Sequence, residues 1–370
     1  TRPTGSLLSS AKLFLMKGSW QIMDDVARLP ITDRIDLFSA TARQRGLTAE
    51  IIEKDFWVCW TLKRLFSLPE PPAGLLFKGG TSLSKAFGII ERFSEDVDLS
   101  FNRVELGFGG ESDPLNATTG KKRKHGLEAL TETCQRIIRV KLLPQLVTVF
   151  CAALGEPPSA AWGVELAGDD PNGQTVLFRY PTGNRSRSAG KPVSTQPAVR
   201  LEIGARSDHW PAVEATVTSY AAADFPGLFK EPGCLVHALT AGRTFWEKAT
   251  ILHMWHHAPA DKKFRDRQSR HYYDVVRLYG HELGIAAIKD TDLLLRVARH
   301  KEVFFPAAWA RYADAKPGTL RIVPPDARLP ELEQDYRKMR EMIFGEPPAF
   351  ERLLELLRDI EREINGVVGG

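Results

Sequence analysis

The chain has 370 residues, of which 43% are apolar and 26% charged, with a formal net charge of +4. That length suits two closely packed domains, or one with a helical extension, and the composition supports sizeable cores. No stretch approaches the ~18 uncharged apolar residues that a bilayer span needs, and the charge balance permits a polyanionic partner without demanding one.

The N-terminal residues 7–16 (LLSSAKLFLM) are mildly apolar but lack a charged start and a small-residue cleavage site. They read as a loose leader before Met16, not a signal peptide. Residues 31–66 read as two helices, the second capped by Thr48 with Glu50 in its first turn. Pro69, Pro71, Pro72 and Gly74 break the chain, residues 75–77 form a short strand, and Gly79–Gly80 end it. A helix runs from Thr81 to Phe87, and residues 97–101 alternate as a strand.

Gly107, Gly109 and Gly110 lie in a loop (107–120) and make no dinucleotide fingerprint, because no strand–helix pair frames them. A long amphipathic helix follows at about 122–151, opened by the basic block KKRKH (121–125). Strands are expected at 174–180, 199–205 and 214–220, with a Gly/Ser/Thr/Asn/Pro-rich loop at 181–197. From Gly242 onward the pattern is helical, interrupted near Pro306, 316–318, 324–330 and Pro347. This is an α+β (mixed α/β) chain: residues 20–222 form a mixed α/β domain, and 223–370 an α-helical one. Cys59, Cys134, Cys151 and Cys234 form no CxxC pair, which favours reduced thiols in the cytoplasm over disulfides or zinc.

The informative stretch is FKGGTSLSKAFGIIERFSEDVDLSF (77–101). Paired glycines let the backbone approach a triphosphate. Amides at the helix start, with the Thr81 and Ser82 hydroxyls, are placed to donate to phosphate oxygens. Residues i and i+2 of a strand share a face, so Asp96 and Asp98 converge. Two such carboxylates call for a cation between them, and hard, oxygen-seeking Mg²⁺ fits.

Lys248 sits on a helical face with Thr244, Ile251 and Trp255, a cation on an apolar stripe, and buried lysines are rare unless paired. Glu202 in VRLEIGA is a candidate third carboxylate or an exposed strand residue. Lys85 stands one helical turn from Thr81, either at phosphate or in solvent. Asp274, with Arg270 at i−4 and Arg277 at i+3, is explained by an ordinary surface ion pair. His253, His256, His257 and His271 could gather a metal, but Trp255 among them and the lack of a nearby Cys favour a packed helix.

The run at 77–101 resembles the first motif of the DNA polymerase β-like nucleotidyltransferase superfamily, and GGTSLSK with SEDVDLSF looks like the AbiEii/AbiGii toxin family, which includes the MenT toxins. RTFWEKATILH (243–253) and RHYYDVVRL (270–278) are similar to that family's later motifs.

The resemblance implies a polymerase β-like domain with a small mixed sheet, followed by helices that contribute Lys248 and Asp274. Asp96 and Asp98 would be the metal carboxylates, completed by Glu202. Gly79, Gly80, Thr81, Ser82, Lys85 and Lys248 would hold the nucleotide, and Asp274 would be the final acidic residue needed for activity. It further implies an NTP substrate, a two-ion Mg²⁺ site with Mn²⁺ as the alternative ion, a cognate antitoxin, and tRNA as acceptor, modified at its 3′ end to block translation. A monomer with no membrane association is expected. The alternatives are transfer to a protein or small molecule, or an inactive nucleotide-binding module acting through a partner. The basic block at 121–124 and the cations after 261 would grip the RNA. Ser94, two residues before Asp96, would crowd the carboxylates if phosphorylated.

Overall fold

The computed structural model describes residues 23–94, 96–156, 161–182, 197–264 and 266–366. The leader at 7–16 and most of the 181–197 loop lie outside them. The described chain opens with helices α1 (Met23–Arg28), α2 (Ile31–Arg45) and α3 (Ala49–Phe66); Thr48 caps α3, its hydroxyl accepting from the Ile51 amide. Strand β1 (Leu75–Lys78) runs straight into the short helix α4 (Gly79–Lys85), and β2 (Asp96–Phe101) follows.

Helix α5 (Gly120–Ile137) passes through one π turn (Ile138–Leu142) into α6 (Leu143–Leu154). Then come β3 (Gly163–Leu166), β4 (Thr175–Arg179), β5 (Ala198–Gly204), β6 (Ala212–Thr218), α7 (Tyr220–Asp224) and β7 (Gly233–Leu239). The remainder is helical: α8 (Ala241–His256), α9 (Ser269–Tyr279), α10 (Glu282–Lys289), α11 (Thr291–Phe304), α12 (Leu329–Met339) and α13 (Phe350–Gly366).

Among the described residues the strands make one seven-stranded mixed sheet, ordered β3-β4-β5-β2-β1-β7-β6. The centre, β5-β2-β1-β7, combines parallel pairs (β2 with β5, β1 with β7) and an antiparallel one (β1 with β2). Strand β7 pairs between β1 and β6, so the sheet extends to Leu239, past the boundary expected at 222. The reason is legible only in space: a parallel partner for β1 must arrive by a long crossover.

Alternation assigns the two faces. Val97, Leu99, Phe101, Val199, Leu201 and Ile203 enter a core covered by α3, α5 and α6, where Trp60, Phe150 and Phe178 pack ring to ring. The intervening Asp96, Asp98, Arg200 and Glu202 therefore share the opposite face. The α5–α6 helix is long and apolar enough, by length and composition, to cross a membrane, contrary to the sequence reading. Here one side of it, with Leu142, Leu146 and Phe150, sits in the sheet core, while Val140 and Val147 on the same helix stay exposed.

A second core joins α8–α13 and takes in Leu83, Ile89 and Ile90 from the β1–β2 connection. The glycine turn is thereby pinned between the sheet and the helical half.

Candidate active site

The site is built around the end of β1. Gly79 has φ +78, a left-handed conformation that disfavours any Cβ. A Cβ there would also stand 2.0 Å from Asp98 Oδ2. The register Lys78↔Asp98 brings that carboxylate over the turn, so it rests directly on the glycine backbone. Diglycine and acid are one constellation.

Strand β5 supplies the third acid. Its parallel register pairs Asp96 with Arg200 and Asp98 with Glu202, setting Asp96, Asp98 and Glu202 on adjacent positions of one face. Glu202 stands exposed on its strand, and partial desolvation, then the charges of Asp96 and Asp98, push its carboxyl above the usual glutamate range; Arg200 and Arg270 only partly offset them. Arg200 approaches Asp96 at 3.7 Å and Asp169 at 3.2 Å. A negative field only partly offset in this way fits a hard divalent cation. Among the described residues no three His, Cys, Asp or Glu side chains converge to cage an ion alone. The three acids thus share a face without closing a site by themselves; a Mg²⁺ ion, which binds through one or two carboxylates plus substrate phosphates, would be held by Asp96 and Asp98.

The helical half contributes cations. Asp274 on α9 is fully buried, and Arg92 grips it with two hydrogen bonds of 2.7 Å each. Lys248 on α8 reaches the same carboxylate at 2.8 Å. Burial opposes ionisation of Asp274, yet Arg92 and Lys248 hold it well below the usual carboxylate range. The Lys248 ammonium is pushed down by burial and up by Asp274, with a net fall. The surface ion pair considered for Asp274 does not form: Arg277 turns to Glu91 at 3.1 Å.

Arg92 was missed by sequence reasoning. Its only signal is a lone cation after the apolar pair Ile89–Ile90. A Cβ on Gly80 would stand 2.5 Å from its Nη2 atom, so the second glycine makes room for this guanidinium.

Other expected residues are placed differently. The Thr81 hydroxyl donates to the Asp96 carbonyl and that of Ser82 to the Gly79 carbonyl at 2.9 Å; both are buried and brace the turn from within. Lys85 does not reach towards phosphate. It is buried against Asp55 at 2.6 Å and over the Tyr220 ring at 3.9 Å, because Asp55 on α3 also accepts from the Tyr220 amide. The basic block at 121–124 opens α5, which covers the far face of the sheet from the carboxylates. His253 and His256 bond to the backbone of Arg311, Arg321 and Val323, fixing that loop to α8. Ser94 lies beside the turn, its Oγ 3.3 Å from where a Gly80 Cβ would be.

A mixed sheet with a diglycine turn under paired aspartates, closed by a helical domain, defines a nucleotidyltransferase of the kind the motifs suggested. A family model described as "Nucleotidyl transferase AbiEii toxin, Type IV TA system" matches residues 60–356, and the chain belongs to that family, one of toxins paired with an antitoxin. Among solved structures it is similar to MenT4, a nucleotidyltransferase toxin from Mycobacterium tuberculosis H37Rv, at 14% identity and a TM-score of 0.48 over 90% of each chain. No curated protein matches the chain.

Proposed function

We propose that this protein transfers the nucleoside monophosphate of an NTP to the 3′ end of tRNA, blocking aminoacylation and so translation. The observation that carries the transfer reaction is the Asp98 carboxylate resting on Gly79, with Asp96 and Glu202 beside it on the same face. The triphosphate lies along the turn, its oxygens towards the backbone amides at the start of α4. A divalent ion held by Asp96 and Asp98, Mg²⁺ or Mn²⁺, supplies charge neutralisation between carboxylates and phosphates when bound.

The acceptor hydroxyl attacks the α-phosphorus, forming an O–P bond as the bridging bond to the β-phosphate breaks. Glu202, its carboxyl already raised, takes the hydroxyl proton on a carboxylate oxygen. Lys248 offsets the charge that gathers on departing pyrophosphate, so the residues work mainly by positioning and electrostatics. Free thiols and a tRNA acceptor both suit the cytoplasm.

Two exposed aromatics, each with a cation of α11 over its ring, favour a polynucleotide acceptor. Trp210 is 52% exposed with Arg296 stacked at 4.5 Å, and Phe305 is 41% exposed with Lys301 at 4.8 Å. Lys301 feels the charges of Lys78, next to the turn, and of Lys248. Aromatic faces interleaved with cations are what a single-stranded RNA end needs. These two pairs, with Arg270, replace the basic block at 121–124 as the proposed RNA grip.

The test is incubation with each labelled NTP in turn, Mg²⁺, and either total tRNA or lysate. Label on the tRNA 3′ end is the expected result. Label on protein or metabolite overturns the acceptor, and bound but untransferred NTP overturns the reaction. Asp96→Ala and Asp98→Ala each abolish transfer while circular dichroism and melting temperature stay near wild type; activity in both purified variants rejects the site.

A further inference from the structure

Asp274 is shared by two cations, an arrangement with a definite charge count. Arg92 occupies one lone-pair site on each carboxylate oxygen, and Lys248 takes another on Oδ2. Two positive charges and one negative leave a unit of positive charge in a buried place. Such an excess is costly unless an anion comes close. Asp98, on the turn, is the near one, and a triphosphate lying on the same turn would be another.

The backbone that carries Arg92 is also held from behind. Arg92 forms an isolated β-bridge with Ile343, the Phe93 amide donates to the Met342 carbonyl at 2.7 Å, and the Phe344 amide donates to the Glu91 carbonyl at 2.7 Å. The segment 342–344 joins α12 to α13. The C-terminal helices, which carry no recognisable chemistry in their sequence, thus brace one arginine against the turn.

We propose that Arg92 is a positioning residue for the transfer step: braced by residues 342–344, it clamps Asp274 beneath the diglycine turn and thereby sets where the Lys248 ammonium stands. The inference rests on the transfer reaction proposed above. Gly80 is glycine because the clamp occupies the space of its side chain. The charged groups facing Lys248 are Asp274, Arg270 and His271 from α9, Arg92 from the β1–β2 connection, and Lys301 from α11. Removing Arg92 deletes a like charge and lets Asp274 swing free, so Lys248 stays protonated to higher pH but stands in the wrong place. Removing Asp274 does the opposite, leaving both cations without their anion.

Two readouts test the clamp. The first is steady-state transfer with the labelled NTP. Arg92→Met lowers kcat by about 10- to 100-fold while KM for NTP changes by less than about 3-fold, the signature of misplacement and not of lost binding. The second is the pH dependence of Lys248 acylation by an amine reagent, read by mass spectrometry, which needs no activity. Its midpoint moves up in Arg92→Met and down in Asp274→Asn; in Arg92→Lys it stays near wild type, and part of kcat returns. Gly80→Ala, whose Cβ pushes the guanidinium aside without changing any charge, moves the midpoint up and lowers kcat, and it decides the matter should Arg92→Met fail to fold. Wild-type kcat in Arg92→Met, or a fall in kcat with an unmoved Lys248 midpoint in both Arg92→Met and Gly80→Ala, overturns the proposal. A wild-type protein that transfers nothing overturns the reaction, while the acylation midpoints still read the clamp.

Discussion

Gly79 carries two constraints in one residue, a left-handed backbone and a carboxylate within van der Waals reach. Gly79→Ala is expected to destabilise the fold by about 1–2 kcal/mol from the positive φ alone. It also displaces Asp98 and lowers kcat by at least about 100-fold; urea unfolding and the transfer assay separate the two effects. Glu202 presents the converse case, a residue whose charge costs stability for the sake of chemistry. Its carboxyl lies above the ordinary range because partial desolvation and two acids oppose ionisation, so in ion-free buffer Glu202→Gln is expected to raise the melting temperature. Added Mg²⁺ then stabilises wild type more than the variant, and transfer falls; equal shifts with Mg²⁺ would remove Glu202 from the ion's surroundings. Asp96, Asp98 and the two glycines were legible in the sequence because their spacing alone implies strand, turn and strand. Arg92 was not, since the partner that gives it meaning lies 182 residues away.

Among the elements, α3 and α4 show how a helix lysine can be misread. Helical periodicity aims Lys85 at phosphate, but Asp55 and the Tyr220 ring enclose it. Lys85→Met strands a buried carboxylate and should cost about 3–5 kcal/mol of stability. The KM for NTP in the folded fraction stays within about 3-fold of wild type, and a larger rise would return Lys85 to the nucleotide site. Helix α8 divides its polar residues between two networks. Lys248 faces Asp274, while the fully buried Arg243 bonds Asp208, which Arg296 also holds. That second network supports the exposed Trp210, whose carbonyl accepts from Arg243 at 2.8 Å. Trp210→Ala is expected to raise KM for tRNA by about 5- to 100-fold with the NTP KM unchanged, the loss of one stacked base. Nitrocellulose filter binding with labelled tRNA measures it.

At the scale of the whole molecule, buried and half-buried histidines make the fold acid-sensitive. His300 is pushed down to about 4 by burial and then by Arg243, and His209 and His257 reach about 4 chiefly through burial. In the unfolded chain these rings take up protons near pH 6.5. Stability is therefore full above that pH, falls as pH drops from about 6.5 to about 4, and levels off below; His300 alone accounts for up to about 3 kcal/mol. Melting temperature followed across this window tests the sign, and His300→Gln flattens part of the fall. Asp274 adds little there, because its ion pairs keep it charged to far lower pH.

The sequence by itself determined the local pieces: the Thr48 cap, the glycine turn, the aspartate strand, the long helix and the helical second half. Each depends on neighbours within a few residues, where backbone preference and periodicity act. Only the tertiary structure decided that β7 enters the sheet beyond the expected boundary, that α5 carries its basic block to the far face, and that Asp274 is a buried hub and not a surface acid. Those outcomes depend on which surfaces meet when apolar faces are buried, and a buried charge takes whatever partner the packing brings to it.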